Sequence, residues 1–209
     1  MSIGILGKKI GMTQIFDKNG LAIPITVIKA GPCVITQIKN ISENGYNSIQ
    51  IGFLEKKAKK IKYPELGHFK NSNSKVLIFL KEYQIENPEN FILGQIINVD
   101  NFTIGQLVNV SGKTIGKGFT GLQKRHHFAR GPMTHGSKNH RAPGSIGAGT
   151  TPGRVFPGKK MSGHYGNTNI TVSKLEILGI DSKENLLLLK GAIPGKPGNL
   201  VNISASFGK

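Results

Sequence analysis

The sequence predicts a mainly β protein, a barrel or sandwich of short strands with a few short helices and one long, irregular basic segment inserted into it. Short runs of β-branched and apolar residues recur along the chain, and Gly, Pro and Asn separate them. Such runs lie on both sides of residues 112–167, a glycine-rich stretch without Asp or Glu. We therefore divide the chain into a β domain, residues 1–111 and 168–209, and an inserted segment, residues 112–167.

The first three strands are predicted between residues 21 and 53. Residues 21–28 are apolar and rich in β-branched side chains, and residues 33–38 form a second such run after the break at Gly31-Pro32. Asn44-Gly45 is a turn signal, and residues 46–53 then alternate between polar and apolar side chains. This alternation is typical of a strand with one face buried.

Residues 55–94 are predicted to be a more variable and partly helical portion of the β domain, with helical turns over residues 57–71. This portion carries a lysine cluster, for which a solvated face and an RNA contact are equally good interpretations. The cluster consists of Lys56, Lys57, Lys59, Lys60 and Lys62. The remaining strands are predicted at residues 95–99, 106–110, 169–172, 175–178, 185–189 and 200–204.

The charge of the chain indicates a polyanionic partner. Lys and Arg number 28 against 11 Asp and Glu, a net charge of +17, and residues 101–175 hold eleven of the basic residues without any acidic one. A nucleic acid is the favoured partner, because each neutralised phosphate releases counterions. An anionic membrane usually selects an amphipathic basic helix with Trp or Phe on its apolar face, whereas this chain has no Trp. We expect neither a membrane nor a small-molecule substrate as a partner.

The inserted segment supplies the candidate RNA-binding residues, and we expect it to become ordered against folded RNA. A guanidinium group matches phosphate bidentately, and a lysine neutralises it as a point charge. The candidates for phosphate contact are Lys113, Lys117, Lys124, Arg125, Arg130, Lys138, Arg141, Arg154, Lys159 and Lys160. The candidates for contact with a base or a sugar are His135, His140 and Phe156.

Enzymatic and metal-binding chemistry is poorly supported by the residues of this segment. Gly112-Lys113-Thr114 lacks the earlier glycine of a phosphate-binding loop, since position 107 is Leu. His135 and His140 are five residues apart with no carboxylate nearby, so we expect neither a metal nor another cofactor. A metal-free, histidine-based RNA-processing enzyme and an architectural DNA-binding protein remain as alternatives.

The single cysteine and the amino-terminal segment complete the sequence-based expectations. Cys33 cannot form an intramolecular disulfide, and its apolar surroundings predict a small buried core residue. Met1–Met12 places Lys8 and Lys9 after only a few apolar residues, an order that does not suit a signal peptide. We therefore expect the protein to act in the compartment in which it is made.

A series of sequence motifs spans almost the whole chain, and residues 55–94 contribute least to it. The motifs are Gly7–Phe16, Gly116–Phe119, Lys124-Arg125, His135–Ser137, His140-Arg141, Pro143–Gly147, Thr151–Val155 and Gly158–Gly163. This series resembles the L3 family of large-subunit ribosomal proteins in its bacterial or organellar form. Many bacterial relatives carry a methylated glutamine just before the Thr-Pro-Gly turn, whereas this chain has Ala148-Gly149-Thr150 there, so that modification is not expected.

The resemblance implies a specific architecture and a non-enzymatic role. It implies a β-barrel of the type shared with translation factors and a basic extension that reaches through the rRNA toward the peptidyl transferase centre. It also implies binding to 23S-type rRNA, a part in nucleating subunit assembly, and large-subunit proteins fourteen and nineteen as neighbours. The expected location is the ribosome, in the bacterial cytoplasm or, for an organelle-encoded protein, in the plastid stroma.

Overall fold

The computed structural model describes residues 4–206 and confirms that the chain is mainly β. The strands are β1 (Ile5–Phe16), β2 (Ala22–Ala30), β3 (Cys33–Lys39), β4 (Ser48–Glu55), β5 (Leu77–Gln84), β6 (Ile96–Ile97), β7 (Leu107–Lys113), β8 (Gly118–Thr120), β9 (Gly163–Tyr165), β10 (Asn169–Asp181), β11 (Leu186–Lys190) and β12 (Leu200–Ala205). The helices are α1 (Ile41–Asn44), α2 (Tyr63–Lys70) and α3 (Leu122–His126), with 3-10 turns at Ala58–Lys60, Pro88–Asn90 and Val99–Asn101.

Six antiparallel strands close into a barrel in the order β1-β12-β7-β10-β11-β2. Alternate side chains of these strands are fully buried, among them Ile5, Ile28, Val110, Leu187 and Ile203. Their period of two follows from the pleat, which sends successive side chains to opposite faces of a strand. Closure pairs β1 near the start of the chain with β12 near its end, so the barrel contains no free edge along the paired residues.

A second antiparallel sheet, in the order β5-β4-β3-β6, shares the core of the barrel. Ile35, Ile49 and Ile51 are fully buried in the same hydrophobic cluster as the barrel residues, and the Tyr83 hydroxyl of β5 donates to the Asn202 side chain of β12. Cys33 is fully buried in this cluster, which confirms its predicted role as a core residue. Burial raises the pKa of its thiol to about 12.

The predicted strands in residues 21–53 are confirmed as β2, β3 and β4, and the helical turns predicted over residues 57–71 are confirmed as a 3-10 turn and α2. Two predictions are wrong in detail. Residues 169–172 and 175–178 belong to one strand, β10, whose register shifts between Val172 and Leu175. The strand predicted at residues 95–99 is only two residues long, because the chain enters a 3-10 turn at Val99.

Sequence analysis missed four strands: β1, β5 and the three-residue strands β8 and β9. In β1 the glycines Gly7 and Gly11 and the adjacent Lys8 and Lys9 obscure the alternation of polar and apolar residues. Lys9 is nevertheless buried, because its Nζ donates to the carbonyl oxygens of Ile193 and Gly195, at 3.0 Å each. Desolvation lowers the pKa of this amine. A charged side chain thus occupies a position that periodicity alone assigns to an apolar one.

The chain separates into two compact units. The first contains the barrel and the second sheet, and it includes the chain up to Lys113 and again from Asn169. The second is Thr114–Thr168. In the first unit Lys113 and Asn169 are opposite each other in the pairing of β7 with β10, so the chain leaves and re-enters the barrel at neighbouring positions. No helix within residues 4–206 has the length and apolar character needed to cross a membrane.

We predict that Ile203→Ala lowers the free energy of unfolding by about 2–5 kcal/mol, because it removes a fully buried side chain and leaves a cavity in the barrel. Urea denaturation followed by far-ultraviolet circular dichroism measures this change. Ile104→Ala, at an exposed position, is the control and should change the free energy by about 0.5 kcal/mol or less. Equal effects of the two substitutions would contradict the barrel core described above.

Candidate RNA interface

The unit Thr114–Thr168 begins with its two ends held side by side. The backbone N–H of Thr114 donates to the carbonyl of Thr168, and that of Lys117 donates to the carbonyl of Tyr165, at 3.0 and 2.9 Å. Strands β8 and β9 then pair antiparallel, with Thr120 opposite Gly163. We refer to residues 114–126 and 161–168 as the stem of this unit, because the backbone of one arm is hydrogen-bonded to the backbone of the other.

Arg125 fixes helix α3 to the opposite arm of the stem. Its Nη1 donates to the carbonyl oxygen of Met161 at 2.7 Å, and the Nε2 of His126 lies 3.1 Å from the same oxygen. A Cβ at Gly163 would lie 2.6 Å from Nη1 of Arg125, so the glycine permits the guanidinium to pack against the strand. Arg125 is consequently half-buried, and it serves the internal structure of the unit.

Residues 130–141 form a loop that closes on itself. The N–H of Gly131 donates to the carbonyl of His140 at 3.1 Å, and the Nδ1 of His140 lies 2.9 Å from the carbonyl oxygen of Pro132. A Cβ at Gly131 would lie 1.9 Å from the backbone oxygen of Asn139, which requires glycine at this position. The loop is joined to α3 by the side-chain amide of Gln123, which donates to the carbonyl of Arg141 at 3.2 Å.

Residues 142–160, the distal loop, contain neither helix nor strand and are almost entirely exposed. The hydrogen bonds formed within it join near neighbours: Gly147 N–H to the Ser145 hydroxyl at 3.4 Å, and Lys159 N–H to the carbonyl of Phe156 at 3.3 Å. Phe156 itself exposes most of its ring. The loop therefore presents backbone groups, cations and an aromatic ring to its surroundings instead of to its own unit.

The structure separates the predicted site residues into three groups. Lys113 lies at the end of β7 in the first unit. Arg125 and His140 are half-buried and make the hydrogen bonds described above. The remaining candidates are exposed in the second unit: Lys117, Lys124, Arg130, His135, Lys138, Arg141, Arg154, Phe156, Lys159 and Lys160.

Sequence analysis did not identify the residues that hold the stem together. Gln123, His126 and Tyr165 contact their partners through the tertiary structure, and the Nζ of Lys117 lies 4.7 Å from the centre of the Tyr165 ring. The spacing of Lys117 and Tyr165 along the chain gives no sign of this contact. The pairing of β8 with β9 could have been found only by testing hairpin registers across the whole segment.

No carboxylate balances the cations of the second unit. Residues 114–168 contain nine Lys and Arg and neither Asp nor Glu. The ion pairs recorded within residues 4–206 all lie in the first unit, namely Lys39–Glu82, Lys56–Glu65, Lys75–Glu55 and Lys190–Glu176. Their presence shows that the lysine cluster of residues 56–62 is partly neutralised, through Lys56. The counter-charge of the second unit has to come from outside that unit.

The described residues, 4–206, contain no cluster of side chains suited to binding a metal ion. Among residues 4–206, no group of three or more His, Cys, Asp and Glu side chains is close enough together to hold a metal ion. His135 is exposed with a positive φ of 57°, and His140 bonds to backbone. The exposed cations and the exposed Phe156 ring of the second unit are instead suited to contact with a large anionic surface.

Comparison with known proteins identifies the family. The model of the family described as ribosomal protein L3 matches residues 82–186. The large ribosomal subunit protein uL3c of Phaeodactylum tricornutum is 63% identical over 206 residues, covering 99% of this chain and 100% of the relative. That of Porphyra purpurea is 59% identical over 204 residues, covering 98% and 100%. The uL3 protein of Gloeothece citriformis is 62% identical over 205 residues, covering 98% and 97%.

These matches extend over both compact units and over residues 55–94, the portion in which the motifs are sparse. They agree with the motif series found in the sequence, and they exclude the RNA-processing enzyme that was kept as an alternative. The chain belongs to the ribosomal protein L3 family, whose members are structural proteins and not enzymes.

Proposed function

We propose that this protein is a structural constituent of the large ribosomal subunit and that it binds 23S-type rRNA mainly through Thr114–Thr168. The observation that carries the proposal is the uncompensated charge of this unit, nine cations without a carboxylate, eight of which belong to exposed side chains. The names of the relatives, large ribosomal subunit proteins, support the same role. Their presence in both plastids and cyanobacteria supports a plastid or bacterial ribosome as the location.

Folded RNA suits this unit better than duplex DNA does. Readers of the DNA major groove commonly insert a helix, and the longest helix of the unit, α3, has five residues. RNA is recognised through shape, phosphate contacts and stacking on splayed bases. An irregular loop with exposed cations and the exposed ring of Phe156 offers these contacts along a path that regular secondary structure could not follow.

The contacts of individual side chains support different roles for the candidate residues. The exposed cations Lys113, Lys117, Lys124, Arg130, Lys138, Arg141, Arg154, Lys159 and Lys160 bind phosphate, with Lys113 acting from the end of β7. Arg125 donates from Nη1 to hold the stem and offers its remaining N–H groups to phosphate. His140 orients the loop of residues 130–141, whereas His135 and Phe156 contact a base or a sugar.

We also propose a larger arrangement, which family membership supports. The first unit is a barrel domain of the translation-factor type, and Thr114–Thr168 is an extension inserted between β7 and β10 that reaches through rRNA toward the peptidyl transferase centre. The protein binds the rRNA early and helps to nucleate assembly of the subunit. Large-subunit proteins fourteen and nineteen are its neighbours.

The first of three predictions about the proposed interface concerns phosphate contact by the distal loop. The double variant Lys159→Gln/Lys160→Gln should bind 23S-type rRNA more weakly, with a slope of log affinity against log salt that is shallower by about 1.4–1.8, because two phosphate contacts are lost. Filter binding at several KCl concentrations measures the slope. Lys18→Gln/Lys183→Gln is the matched control, since it removes two exposed lysines from the first unit. Equal slopes for the two double variants would contradict the assignment of the interface.

The second prediction separates the two kinds of arginine. Arg125→Gln should accelerate amide hydrogen exchange in β8 and β9 of the free protein, because the bond to the Met161 carbonyl is lost. Arg154→Gln should leave that exchange unchanged and reduce only the affinity for rRNA, since its side chain is exposed. Exchange detected by mass spectrometry and the binding assay above provide the two measurements. The stem described here would be wrong if Arg154→Gln accelerated exchange as much as Arg125→Gln.

The third prediction tests whether the second unit is an insertion. Because Lys113 and Asn169 are paired across β7 and β10, a two-residue Asn-Gly turn can replace residues 114–168. The shortened protein should unfold cooperatively in urea with the far-ultraviolet spectrum of a β protein, and it should lose most of the salt-dependent affinity for rRNA. An unfolded product would show that the barrel depends on the inserted unit, and undiminished affinity would place the RNA interface elsewhere.

A further inference from the structure

The hairpin of β1 and β2 continues beyond the region in which β12 covers β1. β12 pairs with β1 from Ile5 to Lys8, and Lys9 then exchanges backbone hydrogen bonds with Asn199 and Gly198. A register shift follows between Lys9 and Gly11, after which β1 pairs with β2 as far as Phe16. Within residues 4–206, no strand pairs with the other side of β1 over residues 10–16. We refer to these residues as the open edge.

The other side of the hairpin, along β2, is covered as far as Pro24. β11 pairs with β2 from Ile25 to Lys29, and the N–H of Gly191 donates to the carbonyl of Pro24 at 2.8 Å. Opposite Gly11–Gln14 the hairpin is therefore open only on the side of β1, whereas beyond Pro24 no strand within residues 4–206 pairs with either side of it. Natural sheets protect such edges with lysine, proline or very short strands, and residues 10–16 contain neither Lys nor Pro.

Large apolar side chains are exposed along the open edge. Ile10 is 49% exposed, Met12 51% and Phe16 67%, and Leu21 in the turn is 65% exposed. Met12 and Phe16 lie on the same face of β1, because side chains four residues apart in a strand point the same way. An unpaired backbone beside an apolar face is the surface that accepts an added strand, in which main-chain hydrogen bonds supply affinity and alternate side chains supply specificity.

The charge of the open edge identifies the class of partner. Residues 10–16 carry no charge in a chain whose net charge is +17, so the edge offers nothing that neutralises a phosphate. A second copy of the chain would bring an equal positive charge and is repelled. A protein segment in extended conformation, uncharged and apolar at alternate positions, matches both the backbone and the side chains of this edge.

We infer that residues 10–16 of β1 pair with an extended segment of another protein in the assembled large subunit. The inference rests on the proposed function, since the subunit supplies the partner. Added there, the partner strand would extend the β1–β2 hairpin into a three-stranded sheet and cover Met12 and Phe16. The chain thus uses its uncharged edge for a protein and its carboxylate-free unit for RNA.

Site-specific crosslinking in purified large subunits tests the inference. A photoreactive phenylalanine analogue replaces Phe16 in one preparation and Tyr63, an exposed residue of α2, in the control. We expect the analogue at position 16 to yield one protease-sensitive product whose crosslinked peptide maps to a single extended segment of another ribosomal protein. A nuclease-sensitive product, a dimer of this chain or the absence of any product at position 16 would overturn the inference.

Hydrogen exchange distinguishes failure of the inference from failure of the proposed function. Amides of residues 10–16 should exchange roughly tenfold more slowly in the subunit than in the free protein, because half of them gain a partner. If the protein sediments with the subunit while these amides exchange as fast as in the free chain, the inference is wrong and the proposed function stands. If the protein does not sediment with the subunit, the proposed function is wrong and the inference falls with it.

A charge-matched pair of variants provides an independent measurement. Met12→Lys/Phe16→Lys places two lysines on the open edge, and Ile92→Lys/Ile104→Lys places two at other exposed apolar positions, so both variants gain the same charge. We expect the first variant to compete at least tenfold less well than the second for incorporation into reconstituted subunits, while the two variants bind isolated rRNA with equal affinity. Equal incorporation of the two variants, or tighter incorporation of the first, would contradict pairing with a protein strand.

Discussion

Pairing of β1 with β12 joins the two ends of the described chain and closes the barrel. The interior is then filled by fully buried aliphatic side chains from all six strands, and the second sheet extends the same core through Ile35, Ile49 and Ile51. Closure also holds β7 beside β10 whatever lies between them in the sequence. A long segment can therefore leave at Lys113 and return at Asn169 without removing a hydrogen bond from the barrel.

The two compact units balance charge in different ways. In the first, Glu55, Glu65, Glu82 and Glu176 each lie against a lysine, although exposed pairs of this kind contribute only about 0–1 kcal/mol. In the second, no carboxylate is present, and the one cation that is not exposed, Arg125, donates to the backbone carbonyl of Met161. Repulsion among the other cations opposes compaction of that unit and is relieved by an anionic partner.

Thr114–Thr168 and the open edge of β1 differ in charge and regularity, and each suits a different class of partner. The exposed cations of Thr114–Thr168 surround an irregular backbone with many glycines, which suits a polyanion of complex shape. The open edge of β1 is uncharged, apolar and regular, which suits another polypeptide. Family membership agrees with both kinds of contact, because a ribosomal protein is surrounded by RNA and by other proteins.

The sequence by itself determined the mainly β class, the strands β2, β3 and β4, the burial of Cys33 and the absence of carboxylates from the inserted segment. These properties are local, since they follow from the residue types within a few positions of one another. Arg125 and Arg154, by contrast, are indistinguishable as residue types, and only the tertiary structure shows that one holds the stem and the other is exposed. The same is true of β1, in which Lys9 is buried and residues 10–16 form the open edge. Both features depend on contacts between residues almost two hundred positions apart. A local sequence pattern does not indicate which distant segment supplies a hydrogen-bond partner.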